Sequence, residues 1–277
     1  MLTRLIRSIL WVVFFGVISG CAATAPERYP LPAAHRADRA AGMDNSAVAI
    51  QSAAKAGVPF IEVDVRPTAD RQFVLYHDKH FHRKYFNAPT IPDGVPVEEL
   101  SLDALRAQRF ADGSGIPLAF REGLLLLRGS HSVMLLDVKG ATPERLTLLM
   151  QQVVDLGQEA NVVVQCQAVE AARFLATHYR EIHFLARLHK DADLAEYLML
   201  RPYIVQLDPE MAIPEHVNRI KAAGARVLIK AVDSKYDSPQ GWRALKELGA
   251  DIVLTDYPKD LGQRAGLGRD WRETPAQ

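Results

Sequence analysis

Residues 133–166 read VMLLDVKGATPERLTLLMQQVVDLGQEANVVVQC. Val133–Val138 and Val162–Cys166 are short apolar runs rich in valine, with the length and composition of buried strands. Between them, 143–156 carries leucine, methionine and valine at helical spacing and stops at Gly157, the residue type that most readily closes a helix. The unit strand–helix–strand recurs along the chain. Upstream lie Leu31–His35 and Phe60–Val65, with the helical stretch 45–56 between them. Downstream, Ile182–Leu188, Ile204–Leu207, Val227–Val232 and Ile252–Leu254 alternate with helical stretches 169–179, 191–200, 214–223 and 239–248. Gly57, Gly224 and Gly249 mark further helix ends. Strand and helix alternating about eight times predicts an α/β fold, the (β/α)8 TIM barrel. An open doubly wound sheet competes, but no glycine-rich dinucleotide fingerprint follows the first strand.

The alternation is interrupted once. Residues 73–130 separate the second strand from the third and hold a strand-like run (FVLYHD), a proline-rich loop and two helical stretches. That is too long for a plain strand-to-helix connection. In a barrel, an excursion at the carboxyl end of a strand lines the active site.

Composition narrows the class. The 277 residues are 48% hydrophobic and 24% charged, enough for a sizeable core. Net charge is +0 with a pI near 7.1, which argues against a general nucleic-acid binder but leaves room for a local basic cluster.

The amino-terminal segment stands apart. Arg4 and Arg7 precede an apolar run, Ile9–Ile18, which is shorter than the roughly 20 residues a spanning helix needs and reads as the core of a secretory signal. It ends in Ile18-Ser19-Gly20-Cys21, which resembles the lipobox of bacterial lipoprotein signal peptides. The resemblance implies a signal peptide over 1–20, cleavage before Cys21, lipidation of its sulfur and acylation of its amine. Residues 21–30 then form a tether and 31–277 the barrel domain. Three acyl chains, at about 0.8 kcal/mol per buried methylene, suffice for stable membrane anchoring. By the same resemblance, Ala22 in place of an acidic residue implies the outer membrane, facing the periplasm of the bacterial envelope. With Cys21 lipidated, Cys166 has no disulfide partner and is expected to behave as a small buried hydrophobe.

Ionisable residues gather where the expected strands end. The first strand runs into His35-Arg36, the second carries Glu62-Val63-Asp64, the extra run ends in His77-Asp78, and the third carries Asp137-Val138-Lys139. The two-residue period of a strand puts Glu62 with Asp64, and Asp137 with Lys139, on shared faces. On neighbouring strands, Glu62, Asp64 and Asp137 converge, and three buried like charges require a cation among them. Oxygen-only ligands suit a hard divalent ion, Mg²⁺ or Ca²⁺. His35 and His77 are then free for proton transfer, while Arg36 and Lys139 offer positive charge to a phosphate. Together these groups suit cleavage of a phosphodiester. A lone histidine or carboxylate of this kind is more often structural; it is the grouping at strand ends that argues otherwise.

From about His35 to Asp260 the chain resembles the glycerophosphodiester phosphodiesterase family. The matching pieces are His35-Arg36, Asp44-Asn45-Ser46 for the family's Glu-Asn-Thr, Glu62-x-Asp64, His77-Asp78, Ile116-Pro117 before a helix, Asp137-x-Lys139 for Glu-x-Lys, and Leu248 through Pro258. The resemblance implies that His35 and His77 are the acid–base pair, Glu62, Asp64 and Asp137 the metal ligands, and Arg36 and Lys139 the phosphate holders. It also implies a small-molecule phosphodiester substrate, attacked first by its own glycerol hydroxyl.

Several departures bear on the pocket. Ala37 replaces a glycine, and Asp44, behind the direct ligands, replaces a glutamate. Asp137 is one methylene shorter than the family's glutamate, so a metal must sit closer to the third strand or take a bridging water. Lys230-Ala231-Val232-Asp233 stands where the family has Trp-Thr-Val-Asn, and Lys230 shares the parity of Leu228 and Val232. It is expected either to contact substrate or to pair with Asp233 or a carboxylate of the metal site. His80 and His82 fall in a basic loop and read as solvated groups. Two alternatives stay open: a barrel that binds a phosphorylated ligand without turnover, and an enzyme for intact lipid, for which Phe81, Tyr85 and Phe86 supply apolar material.

Overall fold

A computed structural model describes residues 29–267. Cys21, the signal segment 1–20 and the tether up to residue 28 lie outside the described residues. Eight parallel strands close on themselves: β1 (Leu31–Ala34), β2 (Phe60–Pro67), β3 (Val133–Val138), β4 (Val162–Cys166), β5 (His183–Arg187), β6 (Ile204–Leu207), β7 (Arg226–Lys230) and β8 (Ile252–Thr255). Each pairs with its sequence neighbours, and β1 pairs with both β2 and β8, which completes the barrel. The helices are α1 (Ala47–Lys55), α2 (Leu102–Arg106), α3 (Phe120–Leu125), α4 (Pro143–Asp155), α5 (Val169–His178), α6 (Leu194–Met199), α7 (Pro214–Ala222), α8 (Pro239–Glu247) and α9 (Pro258–Arg264). Serine or threonine hydroxyls cap four of them, with Ser46 accepting from Ala49 N–H and Thr142 from Arg145 N–H.

The period of two divides every strand between two cores. Ala33, Phe60, Leu135, Val163, Leu185, Ile204, Leu228 and Ile252 fill the barrel interior. Ala34, Ile61, Leu136, Val164, Ala186, Val205, Ile229 and Val253 face outward and pack with the helices. Burying an aromatic or aliphatic side chain of this kind stabilises by about 1.5–3 kcal/mol. The same parity fixes what stands at the carboxyl-terminal mouth. Two residues beyond the interior layer come His35, Glu62, Asp137, Gln165, Arg187, Gln206 and Lys230, with Asp256 two beyond Leu254.

The excursion after β2 folds back on the barrel. Phe73–Leu75 pairs antiparallel with β2, and a two-stranded hairpin joins Phe86–Asn87 to Arg109–Phe110. Val74, Tyr76, Phe81, Phe86, Val97, Leu105 and Phe110 form a separate small core, in which the Phe81 and Phe86 rings stack with centroids 4.6 Å apart. Phe81 and Phe86 are therefore buried and form no apolar lip. The expected helix 191–200 divides into a 3₁₀ turn, Asp191–Asp193, and α6, and the expected strand Val227–Val232 ends at Lys230 before Asp233 turns left-handed. Cys166 is buried and free, and burial alone pushes its thiol up to about 12. It is a packing residue.

Candidate active site

The chain leaving β1 makes a left-handed turn. Arg36 has φ +52° and Ala37 φ +69°, where a side chain costs on the order of 1–2 kcal/mol relative to glycine. The turn aims Arg36 N–H at Glu62 Oε2 (2.7 Å) and Ala37 N–H at the Glu62 carbonyl (3.0 Å), tying the His35-Arg36 corner to β2. Asn45, also left-handed, clamps Asp64 from both sides. Its Nδ2 donates to Asp64 Oδ2 and its Oδ1 accepts Asp64 N–H, both at 3.0 Å. Asp64 and Asp137 are register partners across β2 and β3. One oxygen from each of Glu62, Asp64 and Asp137 lies within 4.8 Å of the others.

Lys139 Nζ sits beside two of these carboxylates, 2.7 Å from Asp64 Oδ1 and 2.6 Å from Asp137 Oδ2. Burial alone would raise the Asp64 carboxyl, but Lys139, His77 and Asn45 outweigh it and hold it low. The same aspartates hold the Lys139 ammonium charged against its own desolvation. Glu62 has no such partner. Burial, then the charges of Asp64 and Asp137, push its carboxyl well above the usual glutamate range.

Each histidine is held through Nδ1 by a carboxylate. His35 Nδ1 lies 2.8 Å from Asp256 Oδ1, and His77 Nδ1 lies 2.7 Å from Asp78 Oδ1. That leaves each Nε2 for a reacting group. Behind His77, Tyr85 donates to the other Asp78 oxygen (3.2 Å), and Arg66 Nε and Nη2 donate to the His77 carbonyl (2.9 and 2.7 Å). Behind His35 runs a chain of alternating charge. Asp256 Oδ2 accepts from Arg39 Nη1 (2.9 Å), Asp44 Oδ1 from Arg39 Nε (2.8 Å), and Asp44 Oδ2 from Arg36 Nη1 (3.0 Å). Asp256 N–H donates to Asp237, which also accepts from the Thr255 hydroxyl. Arg36 Nε is buried without a hydrogen bond, 3.7 Å from Asp64 Oδ2.

The structure thus brings together His35, Arg36, Asp44, Glu62, Asp64, Asp137 and Lys139, with Asp44 orienting Arg36 rather than touching the carboxylates. His77 approaches from the excursion, in electrostatic contact with Asp64. Lys230 stands on the inner side of β7, between Leu228 and Val232 of the interior core, and pairs with no carboxylate among the described residues. On the two strands before β7, Gln206 is the register partner of Leu228 and Arg187 that of Gln206; Arg187 is held by Asp208 at 3.1 Å, and the buried Gln206 amide atoms have no hydrogen-bond partner. His82 Nε2 lies 3.6 Å from Asp78. Asp256, Arg39, Arg66 and Asn45 were not singled out from the sequence as site residues. Asn45 and Asp256 fall inside matched motifs, whereas nothing local marks Arg39 or Arg66.

The sequence model of the Glycerophosphoryl diester phosphodiesterase family matches residues 35–260, from the first histidine of the site to just past Asp256. The chain belongs to this family. Membership makes it a phosphoric diester hydrolase, of a family whose chemistry depends on a divalent metal. The three clustered carboxylates, all oxygen donors with Glu62 unpaired by any cation, fit such an ion. A glycerophosphodiester phosphodiesterase of Caldanaerobacter subterraneus is 25% identical over 244 residues, 82% of this chain and 94% of the relative. The uncharacterized protein y4eD of Sinorhizobium fredii is 31% identical over 126 residues, 42% of this chain, which spans about a third (34%) of that relative's length. Among solved structures, a phosphodiesterase of Oleispira antarctica, in complex with the product sn-glycerol-3-phosphate, superposes with a TM-score of 0.71. It is 17% identical, covering 86% of this chain and 98% of that one, a likeness of fold.

Proposed function

We propose that this family member hydrolyses glycerophosphodiesters to glycerol 3-phosphate and an alcohol, with His35 and His77 as the acid–base pair. The observation that supports this best is the pairing of a three-carboxylate cluster within 4.8 Å with two histidines, each fixed through Nδ1. Glu62, Asp64 and Asp137 would hold one Mg²⁺ or Ca²⁺, which when bound supplies positive charge to the non-bridging phosphate oxygens. Arg36 Nε, an orphaned donor, is suited to a phosphate oxygen. Lys139 has three N–H donors, two of which meet Asp64 and Asp137, so one remains for the same phosphate.

In the first step one histidine accepts, at Nε2, the proton of the glycerol hydroxyl next to the phosphoester. A new P–O bond closes a cyclic phosphate as the bond to the alcohol breaks, and the other histidine protonates the departing alkoxide. Water then opens the ring with the two roles reversed. His35→Ala and His77→Ala are each expected to lower kcat by about 10²–10⁴-fold with little change in melting temperature. Near-wild-type turnover in either variant would remove that histidine from the mechanism.

A binding-only barrel would have no use for two histidines oriented in this way. An enzyme for intact lipid loses its main support, because Phe81 and Phe86 are buried in the excursion's own core and the Tyr85 hydroxyl is engaged by Asp78. No helix among the described residues is long and apolar enough to cross a membrane. We place the protein in the bacterial envelope through lipid on Cys21, on the outer membrane facing the periplasm. The lipobox-like Ile18-Ser19-Gly20-Cys21 supports this. Cys21→Ser should move the protein from the membrane fraction to the soluble one, and unchanged membrane retention would contradict lipidation.

A further inference from the structure

A pocket opens beside the carboxylate cluster, on the side away from Lys230. Arg66, Lys79, Glu98, Asp137, Lys139 and Gln167 line it. It adjoins the phosphate-facing groups at Asp137 and Lys139, and it reaches the excursion two residues past His77 at Lys79. A diester held at the cluster therefore has room here for the alcohol on its His77 side.

The charge of the wall follows from its bonds. Of the eight residues in its wall, three are cationic and two anionic. Asp137 is taken up by Lys139 at 2.6 Å, and Glu98 by Arg145, whose Nη2 donates to it at 2.7 Å from outside the pocket. Gln167 is fixed as well, donating to Asp137 Oδ1 at 3.2 Å and bonded to the His189 ring at 2.9 Å. Arg66 spends Nε and Nη2 on the His77 carbonyl, which neutralises none of its charge. Lys79 is exposed and pairs with no carboxylate among the described residues. Lys139 is shared with Asp64 at 2.7 Å, and Arg66 lies in the field of Asp64, Glu98, Asp78 and Asp137, which leaves exposed Lys79 as the lining cation that carries the positive charge of the wall.

We propose that this pocket receives the diester's second alcohol and selects alcohols that carry an anionic group over cationic ones such as choline. The proposal rests on the phosphodiester hydrolase reading and names the substrate class for it. Lys79 meets the anionic group, and a quaternary ammonium in the same place faces the Lys79 charge.

The test compares kcat/KM of the full chain in detergent for three diesters. They are bis(glycerophospho)glycerol, whose leaving alcohol is anionic, glycerophosphoglycerol, whose alcohol is neutral, and glycerophosphocholine, whose alcohol is cationic. The wild type is expected to favour the first over the last by roughly tenfold at low ionic strength, less so in high salt. Lys79→Gln should bring that ratio to within about twofold and Lys79→Glu should invert it. A wild-type ratio at or below one, or a preference that both Lys79 variants leave in place, overturns the pocket assignment and leaves the hydrolase reading standing. No turnover of any of the three overturns the hydrolase reading, and the pocket assignment falls with it.

Discussion

Asp256 takes His35 through one oxygen and Arg39 through the other, so its carboxylate both orients the imidazole and stabilises the charge the ring gains on accepting a proton. An amide in its place keeps the shape but loses the charge. Asp256→Asn is expected to lower kcat by about 10–100-fold and to affect KM less. Arg39 stands one bond further out, bridging Asp256 to Asp44 and through it Arg36. Its own side chain is just over a third exposed, and its ion pairs contribute at most about 1 kcal/mol to stability. Arg39→Ala should therefore barely shift the melting temperature yet cost about tenfold in kcat/KM, and little further loss should appear when it is combined with Asp256→Asn. Wild-type kinetics in Arg39→Ala would show the chain of charges to be idle. Burial would raise the Asp256 carboxyl, but bonds to His35 and Arg39 outweigh it and hold it low. Its contribution to stability is thus present above the ordinary aspartate range and is lost as pH falls below it.

At the scale of elements, β2 and β3 set Asp64 beside Asp137 and leave Glu62 without a cation. In metal-free protein the folded state keeps the Glu62 proton at pH values where the unfolded chain has lost it. Stability then declines as pH rises from the ordinary glutamate range up through the raised value, and levels off beyond it. A divalent ion that binds the deprotonated cluster removes this penalty. The gain in melting temperature on adding Mg²⁺ or Ca²⁺ should grow as pH rises above the ordinary glutamate range, and Glu62→Gln should flatten that growth. A gain independent of pH would place the ion elsewhere. The strands that carry these residues were legible because a period of two over Phe60–Val65 and Val133–Val138 survives folding unchanged. Inside the excursion, the run FVLYHD yields the strand Phe73–Leu75 and the two expected helices form, but the two-residue strands Phe86–Asn87 and Arg109–Phe110 are set by the small core around Phe81 and Phe86. Elements that short have no period to read. Arg39 and Arg66 were illegible for another reason: their partners, Asp256 and the His77 carbonyl, are assigned by the closure of the barrel and the fold of the excursion.

On the scale of the whole molecule, the barrel sorts its polar residues to one mouth. Each strand alternates between the interior core and the helix-facing core, and the candidate site residues follow beyond the last interior apolar layer. The excursion after β2 brings His77 and the Lys79 pocket to the side of the mouth opposite Lys230. If these parts hydrolyse a glycerophosphodiester with a metal held by Glu62, Asp64 and Asp137, product release must depend on that metal. The most direct test follows glycerol 3-phosphate release from glycerophosphoglycerol by the full chain in detergent, first with Mg²⁺ or Ca²⁺, then with excess chelator, then with metal restored. Release that stops with the chelator and resumes with the metal is the predicted result. Release that continues in chelator would contradict the metal assignment, and no release at all, with metal and diester only raising the melting temperature, would mean a barrel that binds its ligand without turning it over.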